Sequence, residues 1–263
     1  MIARPLVAAV VCCAIAVASG CAPRRIELPS GGGTPLDDAA IPYNDAVADC
    51  RTVRTISATL GLSGRAGSTP LRGNVDAGFE APDRIRLEGR HPFGRPVFIL
   101  VATGPQATLV LPRDNRVLQG VRTAEIVEAL VGLPLGAAEL RLLLSGCAFE
   151  VADPTNGREY PGGWVVVSTG SSTTYLRQVE DRWRVVAATR PPLTVHYGDF
   201  EGGRAATVRL QSSGSSPADV TARVSDLNVN VALEAAVFDV AIPSDADPLT
   251  IDELRRAGPL GDR

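Results

Sequence analysis

The sequence predicts a mainly β fold of the α+β kind: a curved antiparallel sheet, or incomplete barrel, with a helical lid. Three observations predict it. Short runs of period two recur between turn signals from Thr55 to Ile242. One central run, Pro96-Val97-Phe98-Ile99-Leu100-Val101, is apolar on both faces and needs cover on both. Two short segments after it carry apolar stripes at helical spacing.

The chain opens on a targeting segment, residues 1–20. Arg4 supplies a positive start, and Leu6 to Ala18 is apolar but shorter than the roughly 20 residues that a membrane-spanning helix needs. It ends in Ala18-Ser19-Gly20-Cys21, which resembles the lipobox of bacterial lipoproteins, with Ala18 where a Leu is usual. The resemblance implies cleavage before Cys21 and acylation of that residue. Ala22 stands where an Asp would imply inner-membrane retention, so the outer membrane is the expected location, with the domain facing the periplasm. Residues 21–40, rich in Pro and Gly, read as a flexible tether, and residues 41–263 as one domain.

Within that domain a helix is expected from about Tyr43 to Val53. Ile56, Ala58, Leu60 and Leu62 alternate with polar or small residues, which is the pattern of a half-buried strand. Leu71 to Phe79 and Arg84 to Gly89 follow in the same manner, with Ile85 and Leu87 on one face. The turn Pro92-Phe93-Gly94 leads into the apolar central strand, and Ala107 to Leu111 returns from it. Thr123 to Val131 predicts a helix with Ile126, Val127, Leu130 and Val131 on one stripe, and Ala138 to Leu144 a second with Leu140, Leu143 and Leu144. Gly132 and Pro134 separate them. Asp153 to Gly163 reads as a polar, turn-rich passage. Strands are then expected at Trp164–Ser168, Thr173–Val179, Trp183–Thr189, Leu193–Tyr197, Ala205–Gln211, Val220–Val231 and Val237–Ile242, with a final short helix near Thr250 to Arg256.

Composition bounds the chemistry. The chain of 263 residues is 45% hydrophobic and 21% charged, ordinary for a domain that buries a core. A net charge of −3 gives no footprint for nucleic acid. With two His and no nucleophile elbow, phosphate loop, dinucleotide fingerprint or metal-ligand spacing, the reading is a non-enzyme with no metal and no cofactor. His91 reads as a loop residue and His196 as a sheet histidine. After the signal and lipid-bearing cysteines, Cys50 and Cys147 remain. In an oxidising compartment such a pair suggests a disulfide, worth roughly 4–5 kcal/mol in the chain-entropy model; two buried thiols are the alternative.

The central stretch resembles the LolB family of outer-membrane lipoprotein receptors. The resemblance rests on Pro92-Phe93-Gly94, Leu130-Val131-Gly132-Leu133-Pro134, Leu140-Arg141 and Gly146, in that order. Ser63-Gly64-Arg65, Arg84-Ile85-Arg86-Leu87 and Trp183-Arg184-Val185-Val186 also fit, over roughly residues 50–240. It implies an unclosed antiparallel β-barrel with helices plugging the concave face. It implies a cavity that receives acyl chains from a periplasmic LolA-like carrier and releases them to the outer membrane. Phe93 matches the protruding residue needed for delivery. The expected cavity lining is Ile85, Leu87, Phe98, Leu100, Leu109, Leu111, Ile126, Leu130, Leu140 and Leu143. Expected partners are acylated lipoproteins or other lipids, acting on a monomer. The alternatives are a carrier of other envelope lipids, or a non-catalytic structural lipoprotein on the same fold. Residues 239–263 extend past the resemblance and are expected to cover the outer face of the apolar central strand.

Overall fold

The structure, a computed structural model, describes residues 27–90, 94–214 and 217–258. In chain order the elements are β1 (Thr34–Pro35), α1 (Ala40–Arg51), β2 (Thr55–Ala66), β3 (Thr69–Glu80), β4 (Arg84–Arg90), β5 (Phe98–Thr103), β6 (Gln106–Leu111) and β7 (Arg116–Arg122). Then come α2 (Thr123–Val131), α3 (Ala137–Ser145), β8 (Pro154–Tyr160), β9 (Trp164–Thr169), β10 (Ser172–Val179), β11 (Arg182–Arg190), β12 (Leu193–Glu201), β13 (Arg204–Ser212) and β14 (Ala218–Val229). A 3₁₀ turn (Ala235–Phe238), β15 (Asp247–Pro248) and α4 (Ile251–Ala257) complete the described chain.

All fifteen strands join one sheet in the order β1-β8-β9-β10-β11-β12-β13-β14-β2-β3-β4-β5-β6-β7-β15. The end strands β1 and β15 do not pair, so the barrel is unclosed. Every pair is antiparallel except β15 on β7. Alternation sets which way each strand faces. Ile56 lies opposite Phe79, Ala58 opposite Ala77 and Leu60 opposite Val75, all buried. Leu87, Leu100, Leu109 and Leu118 continue one inward row across β4 to β7. The long return of β14 onto β2 places Ala222 opposite Leu62.

Helix α1 packs on the β8–β11 region. Asp45 pairs with Arg182 at 2.9 Å and Asp49 with Arg184 at 2.9 Å, which fixes its register. Helix α2 packs on β6 and β7, and α3 against β3, β4 and β13.

Four differences from the sequence reading have clear causes. β7 was not anticipated, because Val117 and Leu118 are both buried and blur its alternation. β8 is a strand although Pro154 to Tyr160 has no apolar face; its backbone pairs with the open edge of β9. The tether is partly docked: Thr34 and Pro35 pair with β8, and Arg158 donates to the Gly33 carbonyl at 2.6 Å. Val237 to Ile242 is not a strand. It forms part of the 3₁₀ turn and irregular chain, held because Arg86 donates to the Val237 and Asp239 carbonyls at 3.3 and 3.1 Å.

The C-terminal segment covers the outer face, but with different residues than expected. The 3₁₀ turn packs on β4 and β5, with the Arg84 guanidinium 4.5 Å from the centre of the Phe238 ring. Val101, Val110 and Val117 are buried on that face, apart from the main core. Residues 249–257 lie elsewhere, against β7 and α2. Leu249 and Leu254 are buried there, and Arg116 pairs with Glu253 at 3.0 Å. Hydrogen bonds from the Thr250 backbone and hydroxyl, then from Arg116, hold the Glu253 carboxyl down at about 2.

Candidate functional site

Between the sheet and helices α2 and α3 lies a cavity of about 210 Å³. A single water needs roughly 10–15 Å³ of such space, so the cavity is more than ten times that size. Its walls are aliphatic and aromatic. Leu60, Leu62, Leu71, Val75 and Phe79 come from β2 and β3. Leu87, Val97, Phe98 and Leu100 come from β4, β5 and the residue just before β5, and Val208, Leu210, Val220 and Ala222 from β13 and β14. The roof is Val127, Leu130 and Val131 of α2, Leu133, and Leu140, Leu143 and Leu144 of α3. The polar residues of the lining, Arg72, Asn74 and Arg90, border it by their strand positions, with Asn74 paired to Arg90 in the β3–β4 register, and the Arg90 side chain pairs with Asp76 on the outer face.

The roof is built by two helix stops. α2 ends at Gly132, whose φ of 75° suits glycine, and its N–H donates to the Glu128 carbonyl at 2.8 Å. A Cβ at Gly132 would lie 3.1 Å from that of Ala218, so the linker between the helices rests on the start of β14. At the start of α3, the Gly136 N–H donates to the Glu139 carboxylate at 2.9 Å. Arg190 pairs with the same side chain at 2.6 Å.

Three ties then hold α3 in place. Cys147, just after the helix, is disulfide-bonded to Cys50 of α1, with Cα atoms 5.5 Å apart. The buried Tyr197 hydroxyl donates to the Leu143 carbonyl at 3.0 Å and accepts from the Ala148 N–H at 3.2 Å. Its phenol is pushed up by burial, so it stays a donor. Arg141 donates to the Val53 carbonyl at 2.7 Å, and burial holds its guanidinium below the usual arginine range.

Of the residues expected to line the cavity, the structure brings six together there: Leu87, Phe98, Leu100, Leu130, Leu140 and Leu143. Ile85, Leu109, Leu111 and Ile126 do not reach it. They are buried in the core beside the cavity, where α2 packs on β6 and β7 and fills the space. The alternation that selects a face cannot say how far along the strand the cavity extends. Val97, just ahead of β5, also lines the cavity, and its N–H donates to the Gly89 carbonyl at 2.9 Å. The walls from β2, β3, β13 and β14 were missed. Their alternation was visible, but only the pairing of β14 with β2 gathers them. Cys21, His91 and Phe93 lie outside the described residues. His196 faces away from the cavity, opposite Arg209 in the β12–β13 register, while Val195 and Tyr197 face inward.

No group of three or more His, Cys, Asp or Glu side chains is placed to hold a metal among the described residues. Among them also, no helix is long and apolar enough to cross a membrane.

Unclosed sheet and helical roof together enclose an apolar cavity. The chain has the LolA/LolB-type lipoprotein carrier fold. It is similar to a LolA superfamily protein from Nitrosomonas europaea, at 8% identity and a TM-score of 0.52, over 79% of this chain and 98% of that one. A DUF1329 family protein from Desulfovibrio piger gives 13% identity and a TM-score of 0.47, over 78% of this chain and 98% of that one. No protein-family model matches the sequence, and no curated protein matches it.

Proposed function

We propose that this protein is an outer-membrane lipoprotein that takes acyl chains into its cavity and helps insert lipoproteins into the outer membrane. One observation carries the proposal: a cavity of about 210 Å³ with almost wholly apolar walls, left open under the helices. Side chains that only packed a core would fill such a space, since interiors are close-packed. Each methylene moved from water into it contributes about 0.8 kcal/mol, so a fatty acyl chain is held without a single polar contact.

In this reading Cys21 carries the lipid anchor, and the cargo arrives on a soluble periplasmic carrier. Phe93 then supplies an apolar side chain at the membrane surface. It is not a second anchor: burying one such side chain gives roughly 1.5–3 kcal/mol, far less than the lipid on Cys21.

The test is capture of cargo. The full chain with Cys21→Ser, which removes the acylation site, is mixed with a periplasmic carrier loaded with acylated lipoprotein and followed by native mass spectrometry. Transfer of the acylated protein is expected. Gly73→Trp should abolish it. Gly73 lines the cavity, a side chain there would start in open space, and its backbone is one that any residue adopts. Phe93→Glu in the anchored protein should leave capture intact and stop delivery to the membrane. Phospholipid adducts without lipoprotein would favour a carrier of other envelope lipids. A chain that folds and captures nothing would leave a structural lipoprotein.

A further inference from the structure

The size of the cavity limits what it can hold. Its volume is about 210 Å³. An apolar cavity of about 150 Å³ accepts six-carbon benzene, so on that scale this one accepts roughly eight carbons. A myristoyl chain is longer than that, and two chains of membrane length exceed it several times over. The side chains that face in are all apolar, because Arg72, Asn74 and Arg90 alternate onto the outer face. Nothing inside grips a headgroup, so hydrocarbon alone is recognised.

The walls are placed to keep that size. The floor is an unbroken ladder from β13 through β14, β2, β3 and β4 to β5. The roof is tied down: the Cys50–Cys147 disulfide, the Tyr197 hydroxyl and Arg141 all hold α3. The linker between α2 and α3 rests on the sheet, where a Cβ at Gly132 would lie 3.1 Å from that of Ala218 and 3.5 Å from that of Ala66. At the inner end the lining stops at Phe79 and Leu100. Their neighbours across the ladder, Ile85 opposite Phe79 and Leu109 opposite Leu100, are fully buried together with Ile126 of α2. A longer guest would have to displace packed side chains there, which costs more than the added contact returns.

We infer that the cavity seats one acyl chain, and of that chain only about the last eight carbons; the rest of the chain, the headgroup and any further chain stay outside. This rests on the reading of the cavity as an acyl site and adds its capacity. The ligand is a single-chain lipid, or one chain at a time of a lipid with several. Two chains side by side would each be held by only about four carbons. They would bury no more hydrocarbon than one chain does, and would lose the freedom of two.

Isothermal titration of the full chain with Cys21→Ser tests it. The probes are single-chain phosphatidylcholines from hexanoyl to myristoyl, each below its micelle-forming concentration, and dioctanoyl against octanoyl phosphatidylcholine. Affinity should rise about fourfold per methylene, up to about eight carbons, and level beyond. Dioctanoyl lipid should bind at one per protein and no more than about twofold more tightly than octanoyl, since either chain can enter but not both. Gly73→Leu sends a side chain inward beside Leu71 and Val75, from a position where an added Cβ meets nothing. It should bring the levelling point down by about four carbons. A rise that continues at the same step to myristoyl overturns the inference and leaves the acyl reading standing; so does a dioctanoyl lipid held far more tightly than octanoyl. A levelling point that Gly73→Leu leaves unmoved puts the chain in another place and overturns the inference as well. Binding that is absent or blind to chain length fails the acyl reading itself, and the inference with it.

Discussion

Two glycines facing inward divide the work of the cavity wall. At Gly89 a Cβ would lie 2.5 Å from the Phe98 ring, so the ring lies flat on the strand because that residue has no side chain. At Gly73 the same added atom meets nothing, and that space belongs to the cavity. Both residues read in the sequence only as breaks in alternation. Six of the ten expected lining residues were legible as apolar residues on a strand or helix face. The four others were legible as core but not as core without cavity. On the opposite face, His196 sets a pH dependence. Burial holds its imidazole below the ordinary value, Arg209 pushes it further down, and Asp219 opposes. The unfolded chain therefore takes up the proton first, from about pH 6.5 downward, and stability falls from there as the pH is lowered. Above that range the group contributes no slope. Melting temperatures from pH 7.5 to about 5 should fall less steeply for His196→Gln than for the parent chain; parallel curves would show that another group governs the acid limb.

At the scale of elements, α3 is a fixed wall. The period of its leucines and those of α2 was plain in the sequence, and α2 runs over the same residues, Thr123–Val131, that the pattern marks. What fixes α3 was only partly legible. The cysteine pair was visible as a possible bond, whereas Tyr197 gave no sign of its role, being one inward residue in a run of alternation. Its hydroxyl bridges the Leu143 carbonyl and the Ala148 N–H on either side of Cys147, closing the end of the helix. Tyr197→Phe keeps the ring and leaves the buried Ala148 N–H without its partner, while the Leu143 carbonyl keeps the Gly146 N–H at 3.2 Å. It should cost about 1–3 kcal/mol in urea unfolding with the disulfide intact. A variant as stable as the parent would mean that the disulfide and Arg141 hold the helix unaided. The polar strand β8 stands at the other extreme. Its place comes from backbone pairing with β9, which no side-chain pattern encodes.

At the scale of the whole molecule, an unclosed sheet has two edges, and exposed edges invite pairing between copies. This chain covers each with a terminal segment. Thr34 and Pro35 lie on β8, and Asp247 and Pro248 on β7, each as a two-residue strand with a proline that cannot extend the ladder. Curvature and lack of closure followed from short strands at even spacing. Which strands become edges did not, because that depends on β14 meeting β2 far along the chain. The C-terminal segment does more than cap. It lays Phe238 under Arg84, screens the outer valines of β5 to β7, and sets Leu254 of α4 against the roof helix α2. Stopping the chain after Glu234 would therefore bare an apolar face and an open edge together. Val101, Val110 and Val117 would meet water, at a cost of several kcal/mol by area, since a fully buried valine is worth about 1.5 kcal/mol or more. The truncated chain should melt well below the parent and form oligomers at concentrations where the parent is monodisperse, as read by calorimetry and light scattering. Charged substitutions at Val110 and Val117 in the truncated chain should suppress the oligomers without restoring the melting temperature, because they blunt the exposed face but do not replace the lost packing. A truncated chain that matched the parent in both measurements would show that the extension is an appendage, and that β7 is protected by something else.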